Sequence, residues 1–379
     1  MDFELNEDQR GLRDSLARLM AQRYSFEQRR VHAATEAGHD DVTWSKLAEL
    51  GVTALPVPEA YGGFGGGARD LLPVMEQLGA ALSLEPVLAS VVLGTTAVRL
   101  AADDMTCQKW LPDVAAGTSR LAWAHDEEQG RHSPWWIETT ATSKGSEWFL
   151  TGRKVNVLGA AFADRWVVSA RLSGAPGEAT GCALFLVDAT AAGVHARNFR
   201  LVDDTCASEL SLNQAVAVPL GDPLDCARAK AAIEGTLGLG IAAVCADMVG
   251  AMDAAFRLAT DYLKTRKQFG RLIGENQALR HRAAEMLVSL ELARSMAITA
   301  AVAVDGPLSD DAKRDLHRAK LSVARHARIV AHGAIQLHGG IGMTEEYAVG
   351  HYLRRIHVMD QLFGDGEAHA AQLADLISA

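Results

Sequence analysis

Apolar residues fall into three regimes along the chain. Up to about residue 120 they recur at helical spacing: Leu5, Leu12, Leu16 and Leu19 form one stripe, and Trp44, Leu47 and Leu50 begin a second that Gly51 ends. The run LPVPEAYGGFGGG, with two prolines and five glycines, then interrupts all periodicity. Helical spacing returns over 69–81 and 87–101. Residues 121–220 switch to short alternating runs, WFLTGRKVNVL, RWVVSAR and ALFLVDA, divided by Gly, Pro, Asp and Ser. That pattern predicts a small antiparallel β domain. From 226 onward long helices are predicted. They cover 227–264, 277–304 (Leu279, Ala283, Met286, Leu287 and Leu290 at helical spacing) and 310–337, which Ser309 and Asp310 can cap and Gly339-Gly340 ends. The fold class is therefore α+β. It comprises an N-terminal helical domain (1–120), a middle antiparallel β domain (121–225) and a C-terminal four-helix bundle (226–379).

Composition narrows the function classes. Hydrophobic residues make up 49% and charged residues 22%, an ordinary globular balance. The net charge of −10 argues against a nucleic-acid binder but leaves room for an anionic ligand held by a few arginines. Of five scattered cysteines, without a Cys-x-x-Cys pair, most read as small buried hydrophobes in a reducing compartment. The acidic, amphipathic start is unlike a signal peptide, and no uninterrupted apolar run is long enough to cross a bilayer. A soluble cytoplasmic protein is expected.

Three motifs carry candidate chemistry. Arg266-Lys267-Gln268-Phe269-Gly270 sits at the turn between two long helices. The planar fork of Arg266 suits a pyrophosphate, Phe269 can flank an adenine or flavin ring, and Gly270 permits a sharp turn. A charged turn with a glycine stop is the plainer reading. Gln336-Leu337-His338-Gly339-Gly340 would let a ligand approach the backbone. It is equally a helix C-cap, with His338 structural. Gly152-x-Lys154-Val155, running to Trp166-Val167-Val168, reads as strand, turn and strand. Its backbone edge could face a flat heteroaromatic ring, or it could be a β-hairpin core.

The order of these motifs within an α, β, α chain resembles the acyl-CoA dehydrogenase family over almost the whole length. Further matches are Phe3 to Arg13, Trp44-x-x-Leu47-Ala48-x-Leu50-Gly51, Val57-Pro58-Glu59-x-Tyr61-Gly62-Gly63-x-Gly65, Met75-Glu76-x-Leu78-Gly79, and Leu111-Pro112 with Gly117. The resemblance implies FAD bound between the middle domain and the bundle, with a neighbouring subunit completing the site. The trans contacts would be Arg266, Gln268, Phe269, Gln336, Gly339 and Gly340. It also implies α,β-desaturation of an acyl-CoA thioester, with electrons passing to an electron-transfer flavoprotein or similar acceptor. A homo- or hetero-oligomer, dimer or tetramer, would be formed through the bundle. The Ala- and Gly-rich stretch 238–255 could pack closely either within the chain or between chains.

Two departures from the family pattern qualify that expectation. Its catalytic glutamate lies in an aromatic-Glu-Gly-Thr turn; here the turn reads Leu362-Phe363-Gly364-Asp365-Gly366-Glu367. With Phe363 in the aromatic place, Gly364 stands where the glutamate would be. The alternative base position on the first bundle helix falls near Gly240. Asp365 is the first candidate acid, Glu367 the second, and a chain without its own base the third reading. Carboxylates near a helix start are also favoured for their own sake. The loop facing flavin and thioester, usually Thr-Glu-Pro-x-Ala-Gly-Ser-Asp, here reads Trp123-Ala124-His125-Asp126-Glu127-Glu128-Gln129-Gly130-Arg131 and brings negative charge. Such erosion resembles the β-type subunit of heteromeric acyl-CoA dehydrogenases of bacterial steroid side-chain and dicarboxylate degradation. A dehydrogenase subunit, a non-catalytic partner completing another chain's FAD site, and a flavin monooxygenase on the same fold are the competing expectations.

Overall fold

The computed structural model describes residues 4–378; Phe3, at the start of the motif expected in the opening helix, lies outside them. Six α-helices come first: α1 (Glu7–Arg23), α2 (Phe26–Ala34), α3 (Asp41–Glu49), α4 (Ala68–Ala81), α5 (Thr95–Ala101) and α6 (Asp104–Ala115). Asn6 starts α1 with a reciprocal capping box to Gln9. The stretch Val87–Gly94 before α5 winds as a buried π-helix.

Seven strands follow: β1 (Leu121–Ala124), β2 (Thr140–Lys144), β3 (Glu147–Leu158), β4 (Arg165–Arg171), β5 (Cys182–Asp188), β6 (Val194–Arg200) and β7 (Cys206–Pro219). They order as β1-β4-β2-β3-β7-β5, with β6 on β7, and β5 also pairs β4, closing the ring. The sheet is not wholly antiparallel, because β1 runs parallel to β4. Nor are β3 and β4 a hairpin: β3 pairs β2 and β7. The expected hairpin core is thus distributed over the barrel, whose interior holds Trp166, Phe185, Leu150 and Leu210.

The C-terminal part contains α7 (Cys226–Thr265), the two-residue strands β8 (Lys267–Gln268) and β9 (Arg271–Leu272), α8 (Gln277–Val304), α9 (Asp310–His338), α10 (Val349–Gln361) and α11 (Gly366–Ser378). Five helices therefore stand where four were expected, because Gly364 breaks the last segment into two.

The chain divides into two compact units. One comprises residues up to Val31, Ala68–Ser83 and everything from Ile241; the other comprises His32–Gly67 and Leu84–Gly240. In the first unit α4 and α7 pack backbone to backbone. A Cβ on Gly79 would lie 2.1 Å from the Asp247 carbonyl oxygen, and one on Gly250 1.8 Å from that of Glu76. At this crossing the small residues of 238–255 serve contact within the chain. Nearby, Arg355 holds Asp247 through Nε at 2.9 Å and Nη2 at 2.6 Å, both side chains buried.

α7 and α8 are both long and apolar enough, by length and composition, to cross a bilayer. Neither is an uninterrupted apolar run, since polar residues are scattered along both, but the windows stay apolar on average, with a mean hydropathy of 1.6. Within α7, 83% of that window is buried in the fold; within α8, 33% is. Leu287, Val288 and Leu292 of α8 stay exposed.

Candidate functional site

The Arg266 motif and the Gly339 motif lie at the same corner of the first unit. Tyr262, one turn before Arg266 on α7, stacks on His338 with ring centroids 4.6 Å apart and planes at 30°. Tyr347 packs on the same imidazole at 5.0 Å. His338 Nδ1 lies 2.7 Å from the Ala334 carbonyl oxygen, and burial lowers the imidazole pKa, so the ring is a neutral structural wedge. It ties the end of α7 to the end of α9.

Beyond Arg266 the chain folds back at once. β8 pairs β9 in register Lys267↔Leu272 and Gln268↔Arg271, leaving Phe269-Gly270 as a two-residue loop. Both loop residues have positive φ, +49° and +80°, as a type I′ turn requires. Glycine adopts that conformation freely, whereas a phenylalanine there is strained. Phe269 is also 100% exposed. The strain costs folding free energy and the exposed ring recovers none of it by burial, so the ring is left available to a flat partner. Gln268 is exposed beside it. Arg271 is tied to Asn276 Oδ1 at 2.5 Å. Arg266 is exposed too, and among the described residues its guanidinium takes no hydrogen bond or ion pair.

At the other side of the stack, Gln336 is exposed on the last turn of α9. Gly339 ends the helix at φ +66°, ψ −141°, a conformation reserved for glycine, and its N–H donates to Ile335 O. A Cβ on Gly339 or Gly340 would meet nothing within 4 Å. The corner thus offers an uncommitted guanidinium, a displayed aromatic ring and bare backbone beside open space. These are the donor, the stacking face and the clearance that a dinucleotide diphosphate needs.

The turn after α10 presents a different picture. Phe363 and Gly364 have φ of +61° and +102°. A side chain at 364 would be strained by backbone alone, and its Cβ would stand 3.3 Å from His369 Nε2. Asp365 Oδ1 accepts from the amides of Glu367 at 3.1 Å and Ala368 at 2.9 Å, so its carboxylate caps α11. Glu367 is exposed in the first turn of that helix. Gly240 is buried within α7.

In the second unit, the 123–131 loop is less negative than its sequence suggests. Glu127 is buried, with Oε1 2.7 Å from Lys154 Nζ. It also accepts from the amides of Glu138 at 2.5 Å and Thr139 at 3.0 Å. Burial pulls its carboxyl upward, but the Lys154 ammonium and these donors hold it below its usual range. Lys154 reaches Ser169 Oγ and the His125 carbonyl as well, both at 3.0 Å. Burial and the nearby ammonium push the His125 imidazole down to about 3, so it is neutral. The network is a closed structural core under the loop; of the loop's charged residues Asp126, Glu128 and Arg131 face outward, with Glu128 3.6 Å from Arg153 and the Asp126 carboxyl pushed up to about 6 by desolvation.

The sequence motifs did not single out Tyr262, Tyr347, His317, Lys320 or His369. Only the one-turn spacing between Tyr262 and Arg266 could have signalled the first. Among the described residues no cluster of three or more His, Cys, Asp or Glu side chains could hold a metal.

Helices, then a closed seven-stranded sheet, then long helices define the chain as an α+β protein. Family models for the acyl-CoA dehydrogenase N-terminal, middle and C-terminal domains match residues 6–118, 122–215 and 230–377. Acyl-CoA dehydrogenase FadE12 of Mycobacterium tuberculosis is 31% identical over 92% of this chain and 90% of its own. The chain belongs to the acyl-CoA dehydrogenase family. The Caffeyl-CoA reductase-Etf complex subunit CarC of Acetobacterium woodii is 26% identical over 88% of each chain. Among solved structures, a variant of the Tcur3481-Tcur3483 steroid ACAD is 27% identical, with a TM-score of 0.87 over 98% of each chain.

Proposed function

We propose that this chain is a subunit of an FAD-dependent acyl-CoA dehydrogenase that interconverts an acyl-CoA thioester and its α,β-unsaturated form. In this reading the corner of Arg266, Gln268, Phe269, Gln336, Gly339 and Gly340 reaches a cofactor seated chiefly on an adjoining protomer. The observation that carries it is Phe269, fully exposed in a left-handed turn beside an uncommitted Arg266. Arg266 would neutralise the diphosphate, Phe269 would cover a ring face, and the two glycines would leave room for the tail. The flavin, when bound, supplies the hydride acceptor. The chain's own acid would be Asp365, whose Oδ1 caps α11, and it would take the α-proton.

The uncovered apolar face of α8 supports an oligomer. The likeness to CarC and to the steroid ACAD supports an electron-transfer flavoprotein as electron partner and a bulky acyl-CoA as substrate. A second reading, a partner subunit that completes another chain's FAD site without chemistry of its own, is favoured by the glycine at 364 and by the capping role of Asp365.

Expression of the chain alone and with a homologous subunit tests both. The first reading expects flavin bound by the oligomer and bleached by acyl-CoA in proportion to this chain. The second expects flavin and bleaching only with the partner present. Absence of flavin in both preparations would sink the two together.

A further inference from the structure

Beneath the Leu362–Asp365 turn lies a group of buried side chains that the cofactor corner does not use. α9 supplies two of them one helical turn apart, His317 and Lys320. Lys320 is fully buried, and its Nζ donates to the carbonyl oxygens of Met359 at 2.6 Å, Asp360 at 3.0 Å and Leu362 at 3.3 Å. These carbonyls end α10 and lack helical partners, so a cation there both satisfies them and favours the negative helix end. Arg328, also on α9, pairs with the Asp360 carboxylate in the same segment.

His317 Nδ1 lies 2.8 Å from His369 Nδ1, joining α9 to the first turn of α11. Facing ring nitrogens at that distance share one proton, so one ring donates and the other accepts. On the far side of the His369 ring, Nε2 is buried beside the Phe363 and Gly364 backbone, which favours a proton on the ring but makes no hydrogen bond of full geometry with it. It faces Gly364, where a Cβ would come within 3.3 Å. The space that a side chain at 364 would enter is thus lined by this imidazole. Two consecutive left-handed residues, Phe363 and Gly364, make the turn a strained one that neighbouring structure must hold.

We propose that Lys320 and the His317–His369 pair are positioning residues that clamp the Leu362–Asp365 turn from below and so fix the direction of the Asp365 carboxylate. The part concerning Asp365 rests on the functional reading above; the clamp itself does not. Lys320 holds the incoming end of the turn from α9, and His369, on α11, packs against its outgoing end and is tied back to α9 through His317. The clamp needs a charged Lys320 and neutral imidazoles. Burial sets both against protonation, taking Lys320 down to about 8 and His369 to about 3.

Amide hydrogen exchange and acyl-CoA-dependent flavin reduction, measured on the assembled protein for wild type, Lys320→Met, Lys320→Arg and His369→Leu, test this. Amides of 363–369 should exchange about tenfold faster in Lys320→Met and His369→Leu while those of α8 keep their rate. Lys320→Arg should recover part of the protection. The acid limb of the flavin-reduction pH profile should move in both disruptive variants. Unchanged exchange at 363–369 in both overturns the clamp. Faster exchange with an unaltered pH profile leaves the clamp standing and overturns the role assigned to Asp365. Should Lys320→Met not fold, His317→Gln at a half-buried position serves in its place, with the same two outcomes.

Discussion

Tyr262 and His338 stand face to face 4.6 Å apart, and through this contact two sequence motifs some seventy residues apart become one surface. His338 is buried and Tyr262 half-buried, while their neighbours Arg266, Phe269, Gly339 and Gly340 are exposed, and the stack holds the two segments that carry those four together.

Phe269→Gly should separate stability from cofactor retention. Glycine relieves the left-handed strain, a gain of up to about 1 kcal/mol before its own entropy cost, so the melting temperature should hold or rise slightly. Flavin content of the oligomer should fall. A melting curve and an absorbance spectrum of the same preparation check both.

Gly340→Val is a steric probe of the open space. No atom lies within 4 Å of the new Cβ and the position is exposed, so the fold should be retained within about 0.5 kcal/mol. If a diphosphate passes there, flavin is lost while circular dichroism stays native. Undiminished flavin would remove this glycine from the cofactor path.

Asp365 invites two substitutions. Asn caps a helix about as well as Asp, whereas Ala costs about 1 kcal/mol. Asp365→Asn should therefore keep stability and, if the acid takes the α-proton, slow flavin reduction by about 10²–10⁴-fold. An unchanged rate in Asp365→Asn would leave the residue as a cap alone.

The Asp247–Arg355 pair should be the most sensitive polar contact of the first unit. Removing one partner strands a buried charge, and Asp247→Ala should cost about 3–5 kcal/mol in a denaturant titration. Replacing both by apolar residues of similar volume should cost less.

Two histidines make stability depend on pH. His125 and His369 each have pKa values pushed down to about 3 by burial, against 6.5 when unfolded. Below 6.5 the unfolded chain binds protons that the folded chain refuses. Stability should therefore fall as pH drops from 6.5 towards 3, by about 1.4 kcal/mol per pH unit for each histidine. Urea midpoints at pH 7.5, 6 and 5 should show the decline, and His125→Phe should reduce it.

Much of this was legible in advance, for an identifiable reason. The limits of α8 and α9 follow from periodicity and caps, because helix formation answers to neighbours three and four residues away. Arg266, Phe269 and the paired glycines stand out by residue type and order alone. The expected hairpin of β3 and β4 did not form, since strand pairing is settled by partners far along the chain.

By itself the sequence determined the α, β, α order, the ends of α8 and α9 and the residue types at the corner, all matters of local spacing and chemistry. Tertiary structure decided the rest: that Tyr262 meets His338, that Lys154 neutralises Glu127, and that Asp365 caps a helix beneath a strained turn. Those contacts join segments tens of residues apart, and whether a charge is offered or already answered depends on what packs beside it, which no local pattern records.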